Sequence, residues 1–322
     1  MNTIGILTSG GDAPGMNAAI RAAVRAASAR GIATIAYRHG FCGLLTNDSE
    51  LLDDRAVGNI LQRGGTILGT SRCDEFREPA GRARAAQVLR DAGVDGLVVI
   101  GGDGSFRGAL ALQQEHGIPV VGIPATIDND VAGTDDTIGF DTAVNTAVLA
   151  IDQVRDTSES TGMMFFVEVM GRQSGLLALA TAVAAGASGV LIPEARNELP
   201  QLIERLRRSF ELGKHSHIIV VAEGEEAGGA FAVAGRIGNE LAHPYRVVVL
   251  GHVQRGGRPT AHDRLIASEM GAHAAVALAE GRSGVMIARR DARPVEVPLA
   301  DAGYVAAVAG DGLLALAQML AG

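Results

Sequence analysis

The chain predicts an α/β fold: two Rossmann-like doubly wound lobes with mainly parallel sheets and a cleft between them. Three observations carry that prediction. Short apolar runs of strand length alternate with longer helix-like stretches, the grammar of parallel βαβ units. The runs stop at small or polar residues, as Leu97–Ile100 does at Gly101-Gly102-Asp103-Gly104-Ser105. The chain has 322 residues, 47% hydrophobic and 20% charged, which suffices for two lobes and excludes a disordered chain.

The elements follow in order. Thr3–Thr8 reads as a short buried strand, and Ser9-Gly10-Gly11-Asp12-Ala13-Pro14-Gly15 as a turn of small residues. Alanine-rich Met16–Arg30 suits a helix closed by Gly31. Ile32–Tyr37 is a second strand, and Arg82–Asp91 a helix ending before Gly93. Ile118–Ile123 is a buried strand running into Pro124. Asp141 is placed to cap a helix that runs to about Arg155. Phe165–Val169 and Ile218–Ala222 read as strands ending at Met170-Gly171-Arg172 and Glu223-Gly224. Leu176–Ala185 is a buried helix, and Val247–Leu250 a strand that ends at Gly251. The lobes divide near 139–141, at Ile138-Gly139-Phe140, and no short repeat or low-complexity tract is present.

Composition narrows the function. Net charge is −8, with no basic block and 3% aromatics, which argues against nucleic acid as a partner. No apolar run reaches membrane-spanning length, and no basic segment precedes an apolar one at the start, so the expected location is the cytoplasm. Cys42 and Cys73 are the only cysteines, so neither a disulfide framework nor a cysteine-rich zinc site is implied. Lys214 is the only lysine. Any phosphate clamp must therefore use arginine, backbone N–H groups and metal; the planar guanidinium grips phosphate bidentately.

The strand ends carry the chemistry. The turn at 9–15 lacks both a Gly-Lys-Ser/Thr ending and G-x-G-x-x-G; alone it is a tight turn or a phosphate loop. Gly101–Ser105 lets backbone approach phosphates, and Asp103 there can hold Mg²⁺. Asp128 and Asp130 stand two residues apart just past a strand end, where open α/β sheets build sites. A hydroxyl is a poor nucleophile until a base takes its proton, and a carboxylate beside metal-bound phosphate serves as that base. The competing reading is a turn rich in Asp and Asn. His252, Arg255 and the earlier Arg246 suit an anion. His215 and His217 alternate at strand spacing without a third ligand, and are expected to be surface residues. Arg21 and Arg25 share a helix face, expected to be solvated. The set suggests transfer of a phosphoryl group to a hydroxyl.

In order and spacing, Leu7–Asn17, Gly101–Ser105, Thr126–Asp130, Val169–Arg172 and Gly251–Gly257 make the chain resemble the bacterial ATP-dependent 6-phosphofructokinase (phosphofructokinase A) family over nearly its whole length. The resemblance implies phosphorylation of fructose 6-phosphate at its 1-hydroxyl to fructose 1,6-bisphosphate, with Mg²⁺ and ATP as co-substrate. It implies a homotetramer or dimer in the cytoplasm, without nucleic acid or membrane partners. Residues 1–139 with about 253–305 would bind nucleotide, and about 140–252 with 306–322 the sugar phosphate. Gly11, Arg72, Cys73, Gly102, Asp103, Gly104 and Ser105 would line the nucleotide site, Asp103 holding Mg²⁺. Asp128 would be the general base in a catalytic set with Arg72, Asp130 and Arg172. Thr126, Ile127, Met170, Gly171 and Glu223 would join Asp128 and Arg172 around the sugar. Arg246, His252 and Arg255 would hold its 6-phosphate, Arg246 from a neighbouring subunit.

Departures from the family pattern bear on specificity. Pyrophosphate-dependent relatives carry Asp where this chain has Gly104 and Lys where it has Ala125, so ATP is favoured. Met163 replaces a cross-subunit arginine; losing one charge-assisted hydrogen bond removes about 1.5–3 kcal/mol. That implies a raised KM for fructose 6-phosphate or another phosphosugar or cyclitol phosphate as acceptor. Arg21, Arg25, Arg155 and Lys214 match effector positions of the family, but Asp54, Ser188 and Leu212 do not, which implies weak regulation. A non-catalytic sugar-phosphate sensor is the remaining reading, opposed by the joint presence of Asp103, Asp128, Asp130 and Arg172.

Overall fold

The computed structural model describes residues 1–195, 198–225, 228–305 and 311–321. They form two compact units. Unit 1 comprises Met1–Thr126, Asp130–Thr142 and Arg255–Val305; unit 2 takes Ile127–Asn129, Ala143–Gln254 and the C-terminal helix.

The chain begins with β1 (Thr3–Thr8), α1 (Met16–Ser28), β2 (Ala33–Tyr37), α2 (Gly40–Thr46) and β3 (Ser49–Leu52). It continues through α3 (Pro79–Asp91), β4 (Gly96–Gly101), α4 (Asp103–His116) and β5 (Val120–Pro124). Then come α5 (Phe140–Thr161), β6 (Met164–Val169), α6 (Leu176–Ala184), β7 (Gly189–Leu191) and α7 (Glu198–Glu211). After these follow β8 (His217–Ala222), α8 (Gly229–Leu241), β9 (Tyr245–Val249) and α9 (Ala261–Ala279). The hairpin β10 (Val285–Arg290) and β11 (Arg293–Pro298) and finally α10 (Asp311–Leu320) complete it.

Unit 1 holds a seven-stranded sheet in the order β11-β10-β5-β4-β1-β2-β3. Its pairs are parallel except at the two edges, β2 with β3 and β10 with β11. The central strands β4 and β5 are buried along their whole length, which explains their near-continuous apolar runs. One face buries Phe41, Phe76, Leu89, Phe106 and Leu112 against Leu97 and Val99. Unit 2 holds a four-stranded parallel sheet in the order β7-β8-β6-β9. Its two faces carry separate clusters, one around Val167, Leu179 and Val220, the other around Phe166, Leu202 and Ile237. No helix among the described residues is long and apolar enough to cross a membrane.

Two sequence expectations are corrected. Asp141 does not cap α5, which starts one residue earlier and runs to Thr161. The capping comes from α9: Asp263 accepts the N–H groups of Gly139 and Thr142, each at 2.8 Å, and the Thr142 hydroxyl. A carboxylate at a helix N-terminus satisfies donors that have no intrahelical partner. Asp263 is fully buried, and burial pushes its carboxyl up from the ordinary range while these donors pull it down.

His217 is the second correction. His215 is exposed as expected, but His217 opens β8 and is 1% exposed. Its Nε2 lies 3.1 Å from the Lys214 carbonyl and its Nδ1 3.1 Å from Ser188 Oγ. A carbonyl only accepts, so Nε2 carries the proton and Nδ1 accepts from the serine. Its ring stands edge-on to Phe210, centroids 4.8 Å apart. Burial lowers its pKa to about 4, aided by the positive charge of Lys214 and by neighbouring His243 and His215. The unfolded chain therefore binds a proton near pH 6.5 that the folded chain refuses until about pH 4. Stability is whole above pH 6.5 and falls as pH drops towards 4, by up to about 3 kcal/mol. Urea melts from pH 7 to 5 should show this slope, and His217→Gln should flatten it; an equal slope in both proteins contradicts the assignment.

Candidate functional site

In unit 1 the site candidates gather where strand order reverses. β1 sits beside β4, while the chain passes from β1 to β2 on one side and from β4 to β5 on the other. The loops after β1 and β4 diverge there and leave a crevice at the strand ends. Ser9 N–H donates to the Ile100 carbonyl at 2.9 Å. A Cβ on Gly101 would lie 2.4 Å from the Ser9 carbonyl oxygen and 2.6 Å from Ser105 Oγ, so only glycine permits this approach.

α4 begins immediately afterwards, with Gly102 extended before it and Asp103 in its first turn. Its N-terminus points unpaired N–H groups and a positive dipole outward, which suits phosphate. Asp103 Oδ2 is 2.7 Å from Arg107 Nη1, one helical turn on. A side chain on Gly104 would meet only Arg107 Nη2, at 3.7 Å, so the protein itself leaves that space open. Thr70 Oγ1 donates to the Gly10 carbonyl at 2.8 Å, anchoring the first glycine turn. Arg255 Nη1 donates to the Asp12 carbonyl at 3.2 Å, and the same atom would lie 2.5 Å from a Cβ on Gly11. The guanidinium expected for the sugar 6-phosphate thus rests on the 9–15 turn. Arg72 is exposed and Cys73 half-buried. Thr126 follows β5, and its carbonyl accepts from Thr137 Oγ1 at 2.6 Å.

No three His, Cys, Asp or Glu residues among those described are grouped to hold a metal. Asp103 at a helix start is the donor set of an ion that keeps waters and takes most of its oxygens from phosphates. Mg²⁺ binds in that manner, so the residues present fit it.

In unit 2, β6 lies between β8 and β9, and the loops after all three strands meet. Met170 N–H donates to Gln254 Oε1 at 2.8 Å, and Arg172 N–H to Glu223 Oε1 at 2.9 Å. Gly171 has φ 135° and Arg172 φ 52°, two successive residues with positive φ that turn the chain sharply. Three residues of the Pro124–Asp130 stretch, Ile127–Asn129, pack with this unit. Ser174 Oγ donates to the Asp128 carbonyl at 3.2 Å. Asp128 Oδ2 is 3.7 Å from Arg172 Nε; the carboxylate is 2% exposed and the guanidinium 51%. Asp130 remains with unit 1, its carbonyl accepting the Val305 N–H at 3.0 Å.

His252 is exposed in the turn Gly251–Arg255 after β9. Arg246 is not near it: it is the second residue of β9, exposed, and pairs with Phe165. Met163 precedes β6 at that same end and packs on the core. Within one chain, Arg246 and Met163 therefore lie at the opposite end of the sheet from Met170, Glu223 and His252.

Sequence reasoning missed Gln254 and Ser174. Gln254 is fully buried between the exposed His252 and the half-buried Arg255. An amide flanked by two cationic candidates at a strand end was the available signal.

Parallel sheets whose glycine-rich strand ends meet a helix start, with buried and metal-suited carboxylates, define a nucleotide-using α/β enzyme. Residues 3–278 match the family Phosphofructokinase. The chain is 52% identical over 321 residues to ATP-dependent 6-phosphofructokinase 1 of Thermus thermophilus, covering 100% of both. It is 50% identical over 300 residues to ATP-dependent 6-phosphofructokinase 2 of Bacteroides thetaiotaomicron, covering 93% of this chain and 92% of the relative. A solved structure of phosphofructokinase from Saccharomyces cerevisiae superposes with a TM-score of 0.88 at 33% identity, covering 100% of this chain and 48% of that one. The chain belongs to the phosphofructokinase family.

Gln254→Met keeps the volume but removes the acceptor for Met170 N–H. Stranding a buried donor costs about 1–3 kcal/mol, so the urea midpoint should fall accordingly. An unchanged midpoint would mean that this bond does not hold the loop.

Proposed function

We propose that this chain is an ATP- and Mg²⁺-dependent kinase of glycolysis that phosphorylates fructose 6-phosphate at its 1-hydroxyl, giving fructose 1,6-bisphosphate. The observation that carries the reading is the buried Asp128 carboxylate beside the Arg172 guanidinium, in a chain whose relatives at about half identity are named ATP-dependent 6-phosphofructokinases.

Gly11, Gly102, Gly104 and Ser105 present backbone and hydroxyl to the nucleotide, with Arg72 and Cys73 at its edge. Asp103 would hold Mg²⁺, which would supply neutralising charge to the phosphate oxygens. Thr126, Ile127, Met170, Gly171 and Glu223 position the sugar. Asp128 takes the proton of the attacking hydroxyl, and burial shields that carboxylate from competing water. Arg172 compensates the carboxylate charge and orients it, while Arg72 offsets charge developing on the transferred group. Asp130 is a further acid of the same segment. His252 and Arg255 address the 6-phosphate, joined by Arg246 from a neighbouring subunit. The position of Arg246 at the far end of its strand supports that assignment and an oligomer, a homotetramer in the family pattern. A cytoplasmic location accords with this role.

ATP is the donor because Gly104 leaves the space before α4 open; an aspartate there would face the phosphates with like charge. Initial rates with fructose 6-phosphate and Mg²⁺ should be fast with ATP and negligible with pyrophosphate. The reverse preference, or no turnover with either, overturns the reading. Asp128→Ala should lower kcat about 10²–10⁴-fold, the usual contribution of a positioned base, while changing the KM for fructose 6-phosphate far less. Steady-state kinetics of a folded Asp128→Ala protein with near-normal kcat would remove the base from this residue.

A further inference from the structure

The fold of unit 1 brings together the chain's only two cysteines. Cys42 lies in α2, and Cys73 in the segment entering a short 3-10 turn at Glu75–Arg77. The two segments are tied side by side. Ser71 Oγ donates to the His39 carbonyl at 2.8 Å, and Cys42 Sγ donates to the Arg72 carbonyl at 3.4 Å. Flanking residues stack: Phe41 and Phe76 lie ring on ring, centroids 3.9 Å apart and planes within 11°. Cys42 Sγ therefore lies against the carbonyl bonded to the Cys73 nitrogen, and the Cys42 thiol is one of the groups that raise Cys73. Both side chains are half-buried, and Cys73 packs against the core of unit 1.

We propose that Cys42 and Cys73 are a reversible modification site, closed to an intrachain disulfide by a low-molecular-weight disulfide and reopened by a dithiol. Burial and the Cys42 contact push the Cys73 thiol up to about 11, which makes it the slower to ionise. Cys42 attacks the oxidant first. Its thiolate displaces one thiolate from the oxidant R–S–S–R, forming Cys42–S–S–R. Cys73, losing its proton, then attacks Cys42 Sγ and expels the second RS⁻. The two protein protons leave on two RSH molecules, and two electrons pass from the cysteine sulfurs to the oxidant. Packing has already placed the second nucleophile beside the first, so ring closure outruns escape of the mixed disulfide.

The bond abolishes the Cys42 donor to the Arg72 carbonyl and draws Cys73 towards α2. The consequence for catalysis rests on the reading above, in which Arg72 and Cys73 edge the nucleotide. Displacing them should raise the KM for ATP about fivefold, the effect of one lost hydrogen bond, and leave that for fructose 6-phosphate unchanged.

The test incubates the full-length enzyme with oxidised glutathione and reads intact mass under non-reducing denaturing conditions, then measures both KM values. Loss of the mass of two hydrogens, reversed by dithiothreitol, supports the site. Cys42→Ser, which keeps the donor to the Arg72 carbonyl, should retain reduced-state kinetics and show no such loss. A glutathione adduct that never resolves, or no change in mass, overturns the proposal without touching the kinase reading. A disulfide that leaves the KM for ATP unchanged supports the modification site, and what fails is the placement of Arg72 and Cys73 at the nucleotide.

Discussion

The approach of backbone to backbone at the ends of β1 and β4 governs the rest of unit 1. Ser9 and Ile100 are hydrogen-bonded there, and the Ser9 carbonyl occupies the space of any side chain on residue 101. With that contact made, the first glycine turn and the start of α4 open from one point. Asp103, Gly104 and the turn at 9–15 then need no further device to share a crevice. Thr70 and Arg255 only hold the turn where the sheet has put it. A methyl group at residue 101 would separate the strands or expel Ser105, so the arrangement tolerates very little drift.

Unit 2 solves a different problem. A carboxylate at 2% exposure must be kept available, although burial penalises its charge. A mostly exposed guanidinium provides the counter-charge, and exposure spares that partner the same desolvation. The loop that carries Arg172 is fixed at both ends by side chains from neighbouring strand ends, Gln254 and Glu223. The protein thus spends its polar side chains on positioning the backbone that carries the arginine.

Much of this was readable in the residues, and what escaped did so for physical reasons. Apolar runs broken by glycine, proline or acid marked β4, β5, β6 and β8 because parallel strands buried on both faces leave that signature. The edge strands of unit 1 gave none: β3 is mostly exposed, and β11 carries Pro294 and Pro298, which only an edge tolerates. His215 and His217 looked equivalent because they alternate, yet alternation has meaning only within a strand, and β8 begins at His217. Asp128 stood out as a carboxylate at a strand end. Its company did not stand out from the residues alone: Ser174 is 46 residues away, and Arg172, nearly as far, entered only through the family resemblance. The cap on α5 was misassigned to Asp141 for the same reason, since the residue that supplies it is more than a hundred positions downstream.

That distant cap has a consequence for how the chain can be assembled during synthesis. The sheet of unit 2 is contained between Met164 and Val249, so it is complete once Val249 has left the ribosome. Unit 1 starts at the first residue but still lacks α9, the Asp263 carboxylate that closes the start of α5, and the hairpin β10–β11. For the sheets, the usual order in which the amino-terminal domain matures first is therefore inverted, while unit 2 still awaits its C-terminal helix. The second unit in sequence can finish its sheet while the first waits, with the β5 edge of its sheet uncovered until β10 arrives. An open parallel edge in a nascent chain is where a translating ribosome most needs a chaperone nearby.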